Sequence, residues 1–454
     1  MMSSTDNTFF QDITPTSNLV RKFYLLEYFL ILLKSVEHYS NQDDIFESFK
    51  KLKKKYQLGD SKYKKLTYEE DEEPTKKQII KFRYTFDQVL HEALNYNLVE
   101  KRNLANPIIH GKSSAKKQTE YERSKNVYLT INGEKALAEY IRGKFNFNLF
   151  LFKLMEDKHK AFYELIKLCY KDSTLKNGLL IFPIYSGLKL GFDKSTFTTH
   201  QHVLDYSREL TKQLERDIKE YTNKDISLLE AEEKLINKLK QDNIISDNPA
   251  DLFQTKFYNA ALSRFRKYWL SYFLKDIYGY KYSFSTFSIW IERAKQIGIL
   301  YTTEFFPDIS GRIVFPTSII LDSIKNQDFE IIYTYSTGEK LCLHKPKWNN
   351  NYQEEFVKTL QEEFLFLQKT RKTHFINLLD LKERVCFKKR IPGFIFDEFL
   401  EKAYLMNLKG EIRIKIALEV DKLPQETNAM YLKREPILIN GKYKNIIAIN
   451  YGGI

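Results

Sequence analysis

Apolar residues recur at helical spacing along most of this chain. Residues 18–38 and 75–96 each carry a continuous apolar stripe, which predicts two amphipathic helices, and residues 43–56 predict another helix between them. Further helices are predicted at 198–220, 227–241, 251–275, 283–300, 352–370, 377–389 and 392–407. Short segments of alternating polarity lie between these helices. The pattern therefore predicts a mainly α chain with small β-hairpins, which is the α+β class.

The first part of the chain has a recognisable order of elements. Three helices, a strand, a loop, a second strand and a further helix are predicted within residues 18–142. At the last junction the sequence reads LeuThrIleAsnGlyGluLysAlaLeu, residues 129–137. This junction resembles the segment after the wing in MarR-like and PadR-like transcription regulators. The resemblance implies a winged-helix module, whose third helix enters a major groove while its wing touches flanking phosphates.

A similar order of elements is predicted twice more, without sequence identity between the copies. Two alternating segments, 301–306 and 312–318, follow the helix at 283–300. A strand at 411–420 and a strand pair at 436–439 and 445–450, with AsnGlyLys between its strands, follow the last helices. We therefore predict tandem winged-helix domains joined by a helical middle region. The predicted domains are a winged helix with a basic wing at 1–143, a helical linker with a charged helical hairpin at 144–250, a second winged helix at 251–325 and a C-terminal winged-helix-like domain at 326–454. Residues 145–200 fit either the first module or the helical middle.

Charge adds a functional direction to this architecture. The chain has 72 Lys and Arg against 59 Asp and Glu, a net charge of +13 in 454 residues. Such an excess favours a polyanion such as nucleic acid, or an acidic partner, but does not bear on fold. The 34 Phe and 30 Tyr are spread over the whole chain, so a single aromatic residue does not indicate base stacking.

The basic residues of the first module lie where a winged helix touches DNA. Several stand at the start of the predicted third helix, with Gln88 and His91 on its polar face, and many more lie in the segment 101–125. The candidate nucleic-acid-binding residues here are Lys76, Lys77, Lys81, Arg83, Gln88, Lys112, Lys116, Lys117, Arg123 and Lys125. A lysine-rich loop can also be only a solvated surface loop, and both interpretations stay open.

The other two modules differ from the first in charge. The candidate nucleic-acid-binding residues of the second module are Ser285, Arg293 and Lys295 on its predicted recognition helix, and Arg312 in its wing. The equivalent helix of the third module carries Asp397, Glu398 and Glu401, which would repel phosphates. The C-terminal domain is therefore expected to bind protein.

Motifs for catalysis are sparse. The sequence has no P-loop, dinucleotide-binding, zinc-protease or serine-hydrolase motif. His200 and His202 have the spacing of a paired-histidine metal site, but no carboxylate cluster accompanies them, and a helix start is the favoured interpretation. We predict no catalytic residue, no metal site and no cofactor, and thus a protein that is not an enzyme.

Cysteine usage and hydropathy indicate the compartment. Cys169, Cys342 and Cys386 are far apart, so neither a disulfide framework nor a cysteine zinc site is predicted. The longest apolar cluster, 29–33, is too short to span a bilayer, and the first residues lack a leader pattern. The expectation is a cytoplasmic protein without a membrane partner, while the oligomeric state stays open.

Three functions are compatible with these features. The first is non-enzymatic binding of double-stranded DNA through tandem winged helices, with the lysine-rich wing on the duplex backbone. The alternative is a kleisin-like or other structural subunit of a multiprotein complex, in chromosome organisation or defence, with winged helices as protein contacts. A replication initiator with paired winged helices is a further alternative.

Overall fold

The architecture is that of a computed structural model, which describes residues 21, 23–56, 76–102, 126–171, 180–183, 200–222, 225–243, 268, 271–280, 287–303, 311–317, 331–334, 340–343, 350–421 and 436–451. Within these residues the chain is mainly helical with small antiparallel strand pairings, which confirms the predicted α+β class.

The helices follow the apolar pattern closely. They are α1 (Glu27–His38), α2 (Gln42–Lys55), α3 (Lys76–Asn95), α4 (Ile131–Arg142), α5 (Lys144–Lys158), α6 (Lys160–Lys171), α7 (His200–Thr222), α8 (Leu229–Gln241), α9 (Phe287–Ile297), α10 (Asn350–Arg371), α11 (Leu378–Lys389) and α12 (Gly393–Leu408), with a π-helical turn at Phe273–Ile277. The predictions at 43–56, 75–96 and 377–389 are confirmed to within a residue at each end. The first helix begins at Glu27, later than its predicted start at residue 18.

The strands are short and pair antiparallel. They are β1 (Val99–Lys101), β2 (Val127–Leu129), β3 (Leu180–Pro183), β4 (Leu300–Thr303), β5 (Gly311–Pro316), β6 (Ile331–Thr334), β7 (Lys340–Leu343), β8 (Ile376–Asn377), β9 (Ile414–Glu419), β10 (Ile437–Ile439), β11 (Lys442–Lys444) and β12 (Ile446–Tyr451).

The same strand order occurs in three places. In the first, β2 pairs with β1 on one side, and Asn126 just before it bridges to Asn41 on the other. In the second, β5 lies between β3 and β4, and in the third, β12 lies between β8 and β9. In each place the middle strand is the last of the three in sequence. One of its neighbours is the strand just before it in the hairpin. The other neighbour, a strand or a bridging residue, comes earlier in the sequence than the helices that precede the hairpin. We call these places the first, second and third units.

The helix before each hairpin also ends in the same way. A residue with positive φ follows the helix: Asn97 (53°), Gly298 (91°) or Gly410 (72°). The next backbone N–H donates to the carbonyl five residues earlier, Leu98 to Ala93 at 2.9 Å, Ile299 to Ala294 at 3.1 Å and Glu411 to Met406 at 2.9 Å. These bonds satisfy carbonyls that the helix itself leaves open. Because the same bond occurs at the end of α3, α9 and α12, equivalent residues of the three helices can be identified.

A threonine completes the likeness of the first two units. The Thr130 N–H donates to Leu98 O at 3.2 Å, and its hydroxyl donates to Asn97 O. The Thr317 N–H donates to Ile299 O at 3.2 Å, and its hydroxyl donates to Gly298 O. Each threonine thus joins the end of the second hairpin strand to the turn after the helix.

The described residues form two hydrophobic cores. One runs from Phe23 to Val314 and includes side chains of α1 to α9, and the other runs from Tyr301 to Ile449. Neighbouring residues of β5 face opposite ways, so that Val314 enters the first core and Phe315 the second. The predicted domains 1–143, 144–250 and 251–325 therefore share one core rather than each having its own.

Strand β3 resolves part of the ambiguity over residues 145–200. These residues include α5 and α6, which pack in the first core, and β3, which pairs with β5. The pairing crosses the predicted boundary at 250/251, so that boundary separates two strands of one sheet.

A second correction concerns the strand pair predicted at 436–439 and 445–450. There β10 pairs with β11 through a tight Asn440–Gly441 turn with φ of 47° and 73°, while β12 pairs with β8 and β9.

Candidate nucleic-acid interface

Helix α3 has one buried face and one solvent-facing face. Phe82, Phe86 and Val89 are buried against α1 and α2. The residues that are exposed on the opposite side are Lys76, Ile80, Lys81, Tyr84, His91 and Asn95, with Asp87 and Gln88 half-buried beside them. We call these eight residues the outer face of α3. It extends over the whole helix and combines cations, amides and two large apolar side chains.

The apolar side chains of this face are unusually exposed for their size. Ile80 is 70% exposed and Tyr84, one turn further along, is 50% exposed. Neither residue is predicted by the apolar stripe or by the charges of this helix. The signal that could have found Ile80 is its position on the polar side of the predicted helix.

Arg83 has a structural task beside this face. Its Nη1 and Nη2 atoms donate to Oδ1 of Asp43 at 3.1 and 3.2 Å, and its guanidinium lies 4.8 Å from the centre of the Phe46 ring. Its Nε atom is 3.7 Å from Oδ1 of Asp87. Arg83 therefore connects α2 to α3, and the predicted contact with a phosphate would compete with these interactions.

Two cations, Arg21 and Lys101, lie near the C-terminal half of the outer face, where Asp87 acts on His91 in the opposite direction. Partial burial lowers the pKa of His91 below its ordinary value, and the nearby cations Arg21 and Lys101 lower it further. Partial burial raises the pKa of Asp87, although Arg83, His91 and Lys101 act in the opposite direction. Lys101 is the last residue of β1, so the end of this strand lies close enough to the outer face to affect both groups.

The remaining predicted residues of the first unit divide into two groups. Lys76 and Lys81 are exposed near the start of α3, Gln88 lies two turns further along, and the backbone of Lys77 belongs to the same helix. Lys112, Lys116, Lys117, Arg123 and Lys125 lie outside the described residues. The structure thus places the helix residues of the predicted site on one helix and does not describe the others.

The second unit contradicts one predicted DNA contact. The Arg293 side chain is fully buried, and its Nη1 and Nη2 atoms lie 2.5 and 3.0 Å from the Glu92 carboxylate oxygens of α3. Nη2 also donates to the Phe23 carbonyl at 3.1 Å. Burial alone would lower the pKa of Arg293, but Glu92 raises it above its ordinary value. The prediction that Arg293 binds nucleic acid is therefore wrong.

The reason is visible in the rest of α9. Phe287, Ile289, Trp290 and Ile291 are all buried, so this part of the helix has no solvent-facing side among these positions. A helix that is apolar around most of its circumference is a core helix, and this pattern could have been read from the sequence. Lys295 is partly buried and lies 3.5 Å from the Glu292 carboxylate. The backbone of Arg312 lies in β5, and residue Ser285 is outside the described ranges.

The acidic residues of the third unit make contacts within that unit. Asp397 accepts two hydrogen bonds from Lys382 Nζ, at 2.7 and 2.8 Å. Glu398 pairs with Lys402 at 2.8 Å, and Glu401 accepts from the backbone N–H of Asn440 at 2.7 Å. Helix α12 ends in two exposed leucines, Leu405 (38%) and Leu408 (61%). No feature of this helix favours contact with phosphate.

Other chemistry is limited in the described part of the chain. Among the described residues, no group of three or more His, Cys, Asp or Glu could hold a metal ion. Helix α7 begins at His200, as the helix-start interpretation of the paired histidines predicts. Cys169 and Cys386 are buried cysteines outside any disulfide, and burial raises the pKa of Cys386 well above its ordinary value. None of the helices in the described ranges has both the length and the apolar character needed to cross a bilayer.

Comparison of the chain with protein-family models, with characterised proteins and with solved structures finds no match in any of the three. Function therefore has to be argued from the geometry of the chain itself.

Proposed function

We propose that this protein binds double-stranded DNA without catalysing a reaction, with the outer face of α3 in a major groove and the lysine-rich loop after β1 on flanking phosphates. This arrangement is the one that the winged-helix resemblance implies. The observation that carries the proposal is the outer face itself, where cations flank exposed amide and apolar side chains on a rigid helix.

The repeated topology supports the winged-helix part of the proposal. In the first unit, α1 is followed by the bridging residue Asn41, then by α2, α3, β1 and β2, with the basic segment 103–125 between the two strands in sequence. The third unit repeats this order with α10, β8, α11, α12, β9 and β12. Even the capping is shared, since Asn41 and Asn377 each accept a hydrogen bond from the N–H two residues later, at 2.9 Å. These likenesses support the proposal of tandem winged helices with α3 as the recognition helix.

The units have different tasks in this proposal. Helix α9 of the second unit is buried, so the second unit supports the first rather than reading a second groove. The buried contact between Arg293 and Glu92 fixes α3 from its inner side and leaves its outer face to the DNA. A recognition helix that is already fixed on the core avoids the entropy cost of ordering its backbone on binding.

A titration of the full chain by fluorescence anisotropy tests the proposal. Random duplex DNA would be compared with single-stranded DNA at low and moderate salt. The variant replaces Lys112, Lys116 and Lys117 by Glu together, and the control makes the same charge change at Lys358, Lys369 and Lys415, which are exposed in the third unit. We expect salt-dependent duplex binding, lost in the first variant and retained in the second, because each lost phosphate contact lowers the salt slope by about one.

Each of the other results has a definite meaning. Unchanged binding by the triple variant would remove the loop from the interface, and equal losses in both variants would indicate net charge alone. Absence of duplex binding at low salt would overturn the proposal.

The second candidate is a structural subunit of a multiprotein complex that uses the third unit for protein contacts. It is favoured by the exposed Leu405 and Leu408 at the end of an acidic helix. Replacement of both leucines by Lys would abolish capture of a partner from the source cell if this function holds. If the wild-type chain captures no partner, or the double variant captures the same one, the leucines have no such role.

A further inference from the structure

Contacts with phosphates do not explain why large apolar side chains are exposed on the outer face of α3. Lysines at positions 76 and 81 can neutralise phosphates, but Ile80 has no polar atom in its side chain. With 70% of its surface exposed, Ile80 is among the most exposed large apolar side chains of the described residues. It lies between the two lysines, on the side of the helix that faces away from the core.

The chemistry of the major groove limits what such a side chain can contact. Guanine, cytosine and adenine present hydrogen-bonding groups there, whereas thymine adds a methyl group at C5. An isoleucine pressed against the polar edge of a G·C pair would remove water from that edge and supply no hydrogen bond, which is unfavourable. Against a thymine methyl group the same side chain buries apolar surface on both partners.

Gln88 extends this selectivity along the helix. An amide side chain can donate and accept together, and its matching partner in the major groove is the N6 and N7 pair of adenine. Ile80 and Gln88 are two turns apart on the outer face, about 12 Å along the helix axis. That distance corresponds to between three and four base pairs at about 3.4 Å each.

We propose that the first unit prefers A·T pairs in duplex DNA, with Ile80 against the methyl group of a thymine and Gln88 on an adenine a few pairs away. The proposal rests on the DNA-binding function proposed above and names the class of duplex that this function selects. It differs from a preference based on phosphate contacts, which carry no direct sequence information.

The test removes one methyl group from the DNA. The full chain is titrated with three alternating duplexes: poly(dA-dT), the same polymer with uracil in place of thymine, and poly(dG-dC). Uracil differs from thymine only by the C5 methyl group, so any loss reports on that contact. We expect wild-type protein to bind the thymine polymer about fourfold more tightly than the uracil polymer, the factor that burial of one methyl-sized group provides.

Three variants make the result specific. Ile80→Ala is expected to bind the thymine and uracil polymers equally, and Ile131→Ala, which truncates an isoleucine of similar exposure (72%) on α4, should keep the difference. Both side chains are largely exposed, so neither truncation should impair folding. Gln88→Ala should reduce the preference for A·T over G·C polymers and leave the ratio of thymine to uracil unchanged.

The possible failures point to different conclusions. Salt-dependent binding with equal affinity for thymine and uracil would overturn the role of Ile80 and leave the proposed DNA-binding function intact. The same holds if Ile80→Ala keeps the wild-type ratio. Absence of binding to all three polymers at low salt would instead overturn the proposed function on which the inference rests.

Discussion

Glu92 and Arg293 stand at equivalent positions of two structural units and bind one another. Each residue immediately precedes the alanine, Ala93 or Ala294, whose carbonyl accepts the bond that ends its helix. The side chains meet in the interior through two hydrogen bonds. Contact between equivalent positions is what a two-fold relation between the units produces.

A second pair of contacts supports this relation. The backbone ahead of α1 accepts hydrogen bonds from α9, since Tyr24 O lies 3.0 Å from Gln296 Nε2. On the other side, His159 directly ahead of α6 packs against Tyr96 at the end of α3, with ring centres 5.6 Å apart. The entry to the first helix of each unit therefore contacts the end of the last helix of the other.

The buried ion pair predicts a large loss of stability when one partner is removed. Arg293→Met leaves the Glu92 carboxylate buried without its counter-ion, and we expect a loss of roughly 3 to 5 kcal/mol in the free energy of unfolding. Unfolding in urea, followed by circular dichroism, measures it. Arg83→Met is the control, because its pair with Asp43 is exposed and should be worth less than about 1 kcal/mol.

A double replacement distinguishes loss of the pair from loss of packing. Glu92→Leu combined with Arg293→Met leaves no unpaired charge and should recover most of the stability lost by the single variant. A double variant that is as unstable as Arg293→Met would show that the guanidinium matters through its packing on Phe23 instead.

The approach of α4 to the first hairpin predicts an effect of one added methyl group. A Cβ atom at Gly133 would stand 2.2 Å from the Leu98 carbonyl oxygen, so α4 must move away from β1 in Gly133→Ala. We expect a loss of roughly 1 to 3 kcal/mol, measured by thermal unfolding. Lys135→Ala, at an exposed position of the same helix, should change stability little. Equal stability of the two variants would show that the junction accommodates a side chain.

The sequence predicts the helices well and the long-range strand pairings poorly. Helices such as α11 and α12 were predicted nearly to the residue because their apolar spacing is a local signal. The pairing of β3 with β5 was not, since four residues carry little pattern and their partner is far along the chain. For Arg293, charge alone predicts exposure, although the apolar residues around it indicate a core helix.

The repeated threonines predict matched effects in two units. Thr130→Val and Thr317→Val each remove the hydroxyl that donates to the residue after the preceding helix, at a cost of about 1 kcal/mol. Thr130 also caps α4, because its hydroxyl accepts from Gly133 N at 3.2 Å, so its replacement should cost more. The serine variants keep the hydroxyl and should retain most of the stability in urea unfolding. Valine variants as stable as the wild type would show that these hydroxyls contribute nothing, and serine variants as unstable as the valine variants would show that the methyl group contributes as much as the hydroxyl.

His91 predicts that DNA binding depends on pH. In the free protein, partial burial and the cations Arg21 and Lys101 hold the pKa of His91 below 6.5, which disfavours the charged form. A DNA phosphate near the outer face would favour that form and raise the pKa, so the bound state takes up a proton. The affinity should therefore rise as the pH falls through the pKa of His91 in the complex and become constant below its pKa in the free protein. The total rise in affinity should be about tenfold for each pH unit between the two pKa values.

Titrations of duplex DNA at fixed ionic strength between about pH 8 and pH 5 measure this linkage. His91→Gln should bind at high pH as the wild type does and should lose the rise at low pH. His374→Gln, at an exposed position of the third unit, should keep it. Because general titration of the protein or the DNA would affect all three proteins alike, a rise that persists in His91→Gln would place His91 away from the bound phosphates and restrict the interface to the N-terminal half of α3.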